Sequence, residues 1–122
     1  MITHVKFVSI PVKDQDQALD FYTKKLGFKV LKDEPFGEGK RWIELGIPGA
    51  QTFIVLFTAP GQEDRIGSFS TVDFATDDVE KTYPELKELG VQFTVPPTKQ
   101  PWGMYAIFVD QDGNQFVLSS SG

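Results

Sequence analysis

Val8-Ser9-Ile10-Pro11-Val12-Lys13-Asp14 opens the chain, and a helical stretch ending Lys25-Leu26-Gly27-Phe28 follows it. Val72-Asp73-Phe74-Ala75-Thr76-Asp77-Asp78 repeats the pattern, with a helical stretch ending Glu88-Leu89-Gly90-Val91. Each copy continues into apolar strand-like runs and one glycine-containing turn, Ile47-Pro48-Gly49-Ala50 or Gln111-Asp112-Gly113-Asn114. A unit of about half the chain, used twice, implies two similar modules. Where two such modules pack, a shared cleft is the expected binding site.

The elements follow from spacing. Val5 to Val12 reads as a strand, and Pro11, which cannot donate to a ladder, marks its end or an edge. Asp14 followed by Gln17 is a capping box, and Ala18, Leu19, Phe21, Tyr22 and Leu26 recur at helical spacing up to Gly27. Strands are expected at Phe28 to Lys32, Arg41 to Leu45 and Thr52 to Thr58, the last buried on both faces. Ala59 to Gly67 is the linker, between modules of about 1–60 and 67–122. Phe69 to Thr76 is a strand, and Asp77 or Asp78 caps a helix through Leu89. Pro84 inside that pattern predicts either a kink or a late start. Val91 to Val95 is a strand, Pro96 to Pro101 a loop, and Tyr105–Val109 with Gln115–Ser119 a hairpin. Ser119 to Ser121 read as a polar tail. The order is βαβββ twice, an α+β class.

The bulk numbers set limits. A chain of 122 residues suits one domain, which at this size buries roughly two-thirds of its unfolded surface. There is no cysteine, so disulfides, thiolate metal sites and cysteine nucleophiles are excluded, and a reducing cytoplasm is the expected location. Neither a signal peptide nor an apolar run near the roughly 20 residues of a membrane helix is expected. A net charge of −5 speaks against nucleic acid as a partner, because phosphate binding needs a basic stripe. The 11 phenylalanines exceed ordinary core needs, which makes an aromatic-lined cleft a second destination for them.

Together these residues resemble the vicinal oxygen chelate superfamily of glyoxalases, bleomycin-resistance proteins and extradiol dioxygenases. The resemblance rests on Val12-Lys13-Asp14, Ala18, Phe21-Tyr22, Leu26-Gly27-Phe28, Asp77-Asp78-Val79, Leu86, Leu89-Gly90-Val91 and Phe108-Val109-Asp110-Gln111-Asp112-Gly113-Asn114. It implies two βαβββ modules in one domain spanning 1–122. Their eight strands form a curled mixed sheet around a cleft, and the protein usually pairs as a homodimer. It also implies where a metal would sit: at Phe7, Val55, Thr71 and Val117. Three of these have no donor and Thr71 alone is a poor ligand, so no metal and no cofactor are expected. His4, the one histidine, lies three residues before the first position and faces the other way.

Without a metal, function falls to side chains pointing into the cleft. Trp42 and Glu44 share a face if Ile43 and Leu45 point to the helix. Trp42 supplies a flat wall and one donor, and Glu44 a charge for a polar or cationic ligand end. Arg41 pairs with Glu44, binds an anion or is solvated. Asp73 and Thr71 point together. Asp73 is either a general base or a hydrogen-bonded strand carboxylate, and it is also placed to meet Glu44 as a carboxylate pair. Trp102, between Pro101 and Gly103, reads as the lip of the cleft, with Phe36 as its counterpart in the first module. The expected ligand-binding set is Phe7, Trp42, Glu44, Val55, Thr71, Asp73, Trp102 and Val117. The function that follows is a metal-independent small-molecule binding protein of the glyoxalase/bleomycin-resistance type. The alternative is a divergent lyase, isomerase or dioxygenase with a non-standard metal or acid–base site. A third reading is a partner-binding dimer without a ligand.

Overall fold

The computed structural model describes residues 1–121. The chain divides into two compact units, Met1–Ile66 and the stretch from Gly67 onward. The first contains β1 (Phe7–Ile10), α1 (Gln15–Asp20), β2 (Lys29–Pro35), β3 (Arg41–Gly46) and β4 (Phe53–Leu56). The second contains β5 (Phe69–Ala75), α2 (Val79–Glu88), β6 (Gln92–Gln100), β7 (Gly103–Val109) and β8 (Gln115–Ser121). The class is α+β, the βαβββ order occurs twice, and the eight strands form two four-stranded mixed sheets. Their orders correspond strand for strand, β1-β4-β3-β2 and β5-β8-β7-β6. In each, the first and last strands run parallel and the other pairs antiparallel.

Both helices start where a carboxylate can take up orphan amides. Asp14 Oδ1 accepts from Gln17 N at 3.0 Å, and Asp78 Oδ1 from Glu80 N at 3.0 Å and Lys81 N at 3.3 Å. The first helix is not regular to its end. After Asp20 it widens into a π turn over Phe21–Lys25, and Leu26 N reaches back five residues to the Phe21 carbonyl. The wider turn lets the neighbours Phe21 and Tyr22 both be buried. The second helix begins directly after Asp78 and runs on through Pro84, forgoing one internal hydrogen bond.

Each core lies between a helix and one sheet face. In the first unit Ile10, Ile43, Leu45, Ile54 and Leu56 are buried, as are Ala18, Phe21 and Tyr22 of the helical segment. In the second, Phe108 and Phe116 pair across β7 and β8, Phe74 rings stand 5.4–6.1 Å from both, and Val79 is buried on α2. Each such side chain contributes roughly 1.5–3 kcal/mol by leaving water.

Several strand limits differ from expectation. β1 begins at Phe7 rather than Val5, β2 extends to Pro35, and β4 covers only Phe53–Leu56. Pro96 to Gln100 belong to β6 and are not a loop. β6 is an edge strand, where a proline turned outward costs no ladder bond, and its register slips between Val95 and Thr98, across both prolines, which accommodates the other. Ser119 to Ser121 are not a tail. They complete β8 opposite Tyr105, Met104 and Gly103, and Ser120 Oγ accepts from Val79 N at 3.3 Å at the start of α2.

The turn before β8 is held by buried polar groups. Asp110 Oδ1 accepts from Asp112 N and Asn114 N, both at 2.9 Å, and its Oδ2 from Asn114 Nδ2 at 2.8 Å. Asn114 Oδ1 in turn accepts from Gly67 N at 2.8 Å. Gly67 has a positive φ, and a Cβ there would stand 3.0 Å from the Asp112 carbonyl oxygen.

Candidate functional site

In the first unit, the register that turns Ile43 and Leu45 into the core turns Trp42 and Glu44 to the opposite face. Glu44 stands across from Val55, and Phe7 across from Phe53. Five rings gather on this side. Phe7 meets Trp42 edge-on at 5.7 Å and stacks on Phe53 at 5.6 Å. Trp42, Phe36 and Phe57 touch pairwise at 5.3–5.5 Å. On the edge strand β2, Glu34 stands across from Trp42 and Lys32 across from Glu44. Glu44 shares this side of the sheet, and its Oε2 accepts from Trp42 Nε1 at 2.8 Å. The indole donor is therefore satisfied inside the protein. Trp42 offers a ligand its ring, and Glu44 is held in place with its second oxygen available.

Phe36, in the β2–β3 loop, is 53% exposed and covers one end of the cluster. Val55 is fully buried beneath the face and has no surface to offer a ligand. Phe53 and Phe57 were not in the expected set. Their signal was the alternation of 53, 55 and 57, which a strand taken as buried on both faces conceals.

Arg41 does not pair with Glu44. Its Nε and Nη2 donate to the two oxygens of Asp33, each at 3.0 Å, and Nη1 donates to Asp16 at 2.7 Å. The Arg41 hydrogen bonds hold the Asp33 carboxyl below its usual range and raise the guanidinium further. Gln15, the first residue of α1, donates to the carbonyls of Arg41 at 2.7 Å and Leu56 at 2.8 Å, fixing the helix start against β3 and β4. Beside it opens a cavity of about 730 Å³ lined by Val12, Gln15, Lys40, Arg41 and Phe57, among others. Phe57 thus faces both this cavity and the aromatic cluster.

In the second unit, β5 alternates, with Thr71, Asp73 and Ala75 exposed and Val72 and Phe74 turned inward. Asp73 lies opposite Val117 and accepts from Ser119 Oγ at 2.7 Å. It is a hydrogen-bonded strand carboxylate. Trp102 occupies the two-residue turn between β6 and β7, at the hairpin tip, and stacks on Tyr105 at 6.4 Å. Asp73, Thr76, Trp102 and Ser119 to Ser121 line a pocket of about 380 Å³.

The positions at which a metal would be expected do not suit one. Phe7 is tied into the ring cluster, Val55 is core, Val117 has no donor and Thr71 has a single hydroxyl. Among the described residues no three of His, Cys, Asp or Glu are grouped to hold an ion. His4 is exposed and bonds to Thr3 Oγ1 at 3.0 Å. No helix of the described residues is long and apolar enough to cross a membrane.

The Glyoxalase/Bleomycin resistance protein/Dioxygenase superfamily model matches residues 2–118. The chain belongs to this superfamily. Among its relatives in the superfamily, the Bacillus subtilis (strain 168) protein YetH is 33% identical over 118 residues, covering 97% of this chain and 98% of its own. A superfamily member from Sphaerobacter thermophilus DSM 20745 superimposes with a TM-score of 0.88 at 36% identity, covering 98% of each chain. TnmS3, an antibiotic binding protein from Streptomyces sp. CB03234, gives 0.85 at 36% identity, covering 99% of this chain and 98% of its own. The duplicated sheet order of this chain is thus the superfamily fold.

Proposed function

We propose that this protein is a metal-independent small-molecule binding protein of the glyoxalase/bleomycin-resistance type. The carrying observation is the aromatic face of Phe7, Phe36, Trp42, Phe53 and Phe57 beside the carboxylate of Glu44. Ring faces hold a flat apolar ligand by contact and stacking, and Glu44 orients a donor or cationic end of it. Thr71, Asp73, Trp102 and Val117 supply the ligand contacts of the second unit. The likeness to TnmS3, described as antibiotic binding, supports a role in sequestering a compound rather than transforming it. The absence of any donor at Phe7, Val55 and Val117 supports independence from metal.

The test is a thermal-shift screen of planar aromatic compounds, with and without a chelator, paired with elemental analysis. A ligand at a hundred times its Kd stabilises by about 2.7 kcal/mol, which raises the midpoint by several degrees. The rise is expected to be the same in both arms. Near-stoichiometric zinc, nickel, iron or manganese, together with binding that the chelator abolishes, would overturn the reading.

The same proposal includes a homodimer in the cytoplasm. β2 is an edge strand with Val30 51% and Leu31 58% exposed, and an open apolar edge calls for cover. A cysteine-free chain needs no oxidising compartment. Light scattering is expected to give twice the chain mass at tens of micromolar, on the order of the concentrations at which modest interfaces assemble. A monomer there counts against it.

A further inference from the structure

The pocket of the second unit, about 380 Å³, has a wall unlike the aromatic face of the first. Most of its polar groups are already engaged. Ser120 Oγ accepts from Val79 N, Thr76 Oγ1 pairs with Thr82 Oγ1 at 2.6 Å, and Ser119 Oγ donates to Asp73 Oδ1. Among the described residues that line the pocket, three side-chain groups are left without a hydrogen bond. They are Asp73 Oδ2, an acceptor; Trp102 Nε1, a donor; and Ser121 Oγ, which does both. Trp102 is 56% exposed. It sits in a two-residue turn and is backed by Tyr105 at an interplanar angle of 30°. The pocket therefore combines an exposed aromatic platform, backed by a second ring, with one acceptor, one donor and one hydroxyl.

We infer that this pocket takes a neutral hydroxylated ring of the pyranose class, laid with its C–H face on Trp102 and two neighbouring hydroxyls against Asp73 and Ser121. A ligand that fits must both donate, to Asp73, and accept, from the indole N–H. A hydroxyl does both. An ammonium ion only donates, and would leave the indole N–H and the serine proton unmatched. A planar apolar ligand would stack on Trp102 but leave Asp73 Oδ2 covered with no donor facing it. The volume lies at the small end of ligand pockets, roughly 300–1,000 Å³, where a single sugar ring belongs. The inference rests on the reading that Asp73 and Trp102 touch a ligand. It does not depend on what the Trp42 face binds.

The experiment uses the two tryptophans of the chain, which give two indole N–H signals in a nitrogen-15 spectrum. Trp102→Phe assigns them. The full chain is titrated with methyl glucosides, mannosides and galactosides, and separately with methylammonium chloride. At least one pyranoside is expected to move the Trp102 signal saturably, with a Kd on the order of millimolar, while the Trp42 signal stays. Asp73→Asn is expected to weaken that pyranoside about tenfold, the loss of a hydrogen bond to a charged group. Backbone amide spectra report whether the variant is folded. Should it not be, Ser121→Ala, at the strand end, is expected to weaken binding severalfold in its place. If no pyranoside moves the Trp102 signal, or if methylammonium alone does, the inference falls. An aromatic ligand moving Trp42 would still leave the proposed function standing. A saturable pyranoside response at Trp102, with neither indole answering the aromatic panel, sinks the sequestration of aromatic compounds and leaves the sugar site in place.

Discussion

Trp42→Ala is expected to destabilise the protein by about 3 kcal/mol and to weaken any aromatic ligand at least tenfold. Two losses combine. Phe7, Phe36 and Phe57 each give up a ring partner at 5.4–5.7 Å, and Glu44 gives up the hydrogen bond from the indole. Trp42→Phe separates them. It keeps most of the ring contact and removes the indole bond, at a cost of about 1 kcal/mol. Urea unfolding followed by far-UV circular dichroism measures the first effect, and titration with the best compound of the aromatic screen measures the second. An alanine variant with the parental midpoint and the parental affinity would show that the cluster neither supports the fold nor meets the ligand.

Asp110→Ala is expected to cost about 2–4 kcal/mol, comparable to emptying a core position, although the residue touches no proposed ligand. Its carboxylate accepts from Asp112 N, Asn114 N and Asn114 Nδ2, and both Asp110 and Asn114 are almost fully buried. Alanine leaves those donors in place without their acceptor. Hydrogen exchange locates the effect: the Asn114 amide is expected to lose protection before the amides of β3 and β4 do. Unchanged exchange at Asn114 together with an unchanged urea midpoint would refute this account of the turn.

The parts of the fold that local chemistry dictates were legible in the sequence. Asp14 and Asp78 each stand one residue ahead of a helix, and the Ile43/Leu45 alternation correctly separates core from open face. What failed depended on pairing. Pro96 and Pro97 carry every local mark of a loop, and only the edge position and the register slip of β6 admit them to a strand. Three serines carry no strand signal of their own, and only Gly103, Met104 and Tyr105 opposite make them one. The site shows the same division. Trp42 and Glu44 were readable from a spacing of two, but the bond between them was not. It turns the indole from a ligand donor into a clamp on the carboxylate. Arg41 was likewise unreadable, because Asp33 and Asp16 reach it from β2 and α1 rather than from its own strand.

The parallel pairing of β1 with β4 and of β5 with β8 has a kinetic meaning. The partners that close the sheet lie 46 residues apart in the first unit, as Phe7 with Phe53, and 44 to 46 apart in the second, as Asp73 with Val117 and Phe69 with Gln115. On a ribosome, the opening strand of each half emerges long before the strand that will hold it. It must wait while a helix and two further strands are made. Bringing ends that far apart together carries a loop-closure cost of roughly 3–4 kcal/mol beyond its constant part, nearly the same for both halves. Contacts this distant in sequence also slow folding. The helix and the antiparallel hairpins can form from neighbours, so the parallel seam is the step that completes each half. Until then the opening strand is unpaired on both sides, and during synthesis that is the interval in which a wrong partner can take the place of the closing strand.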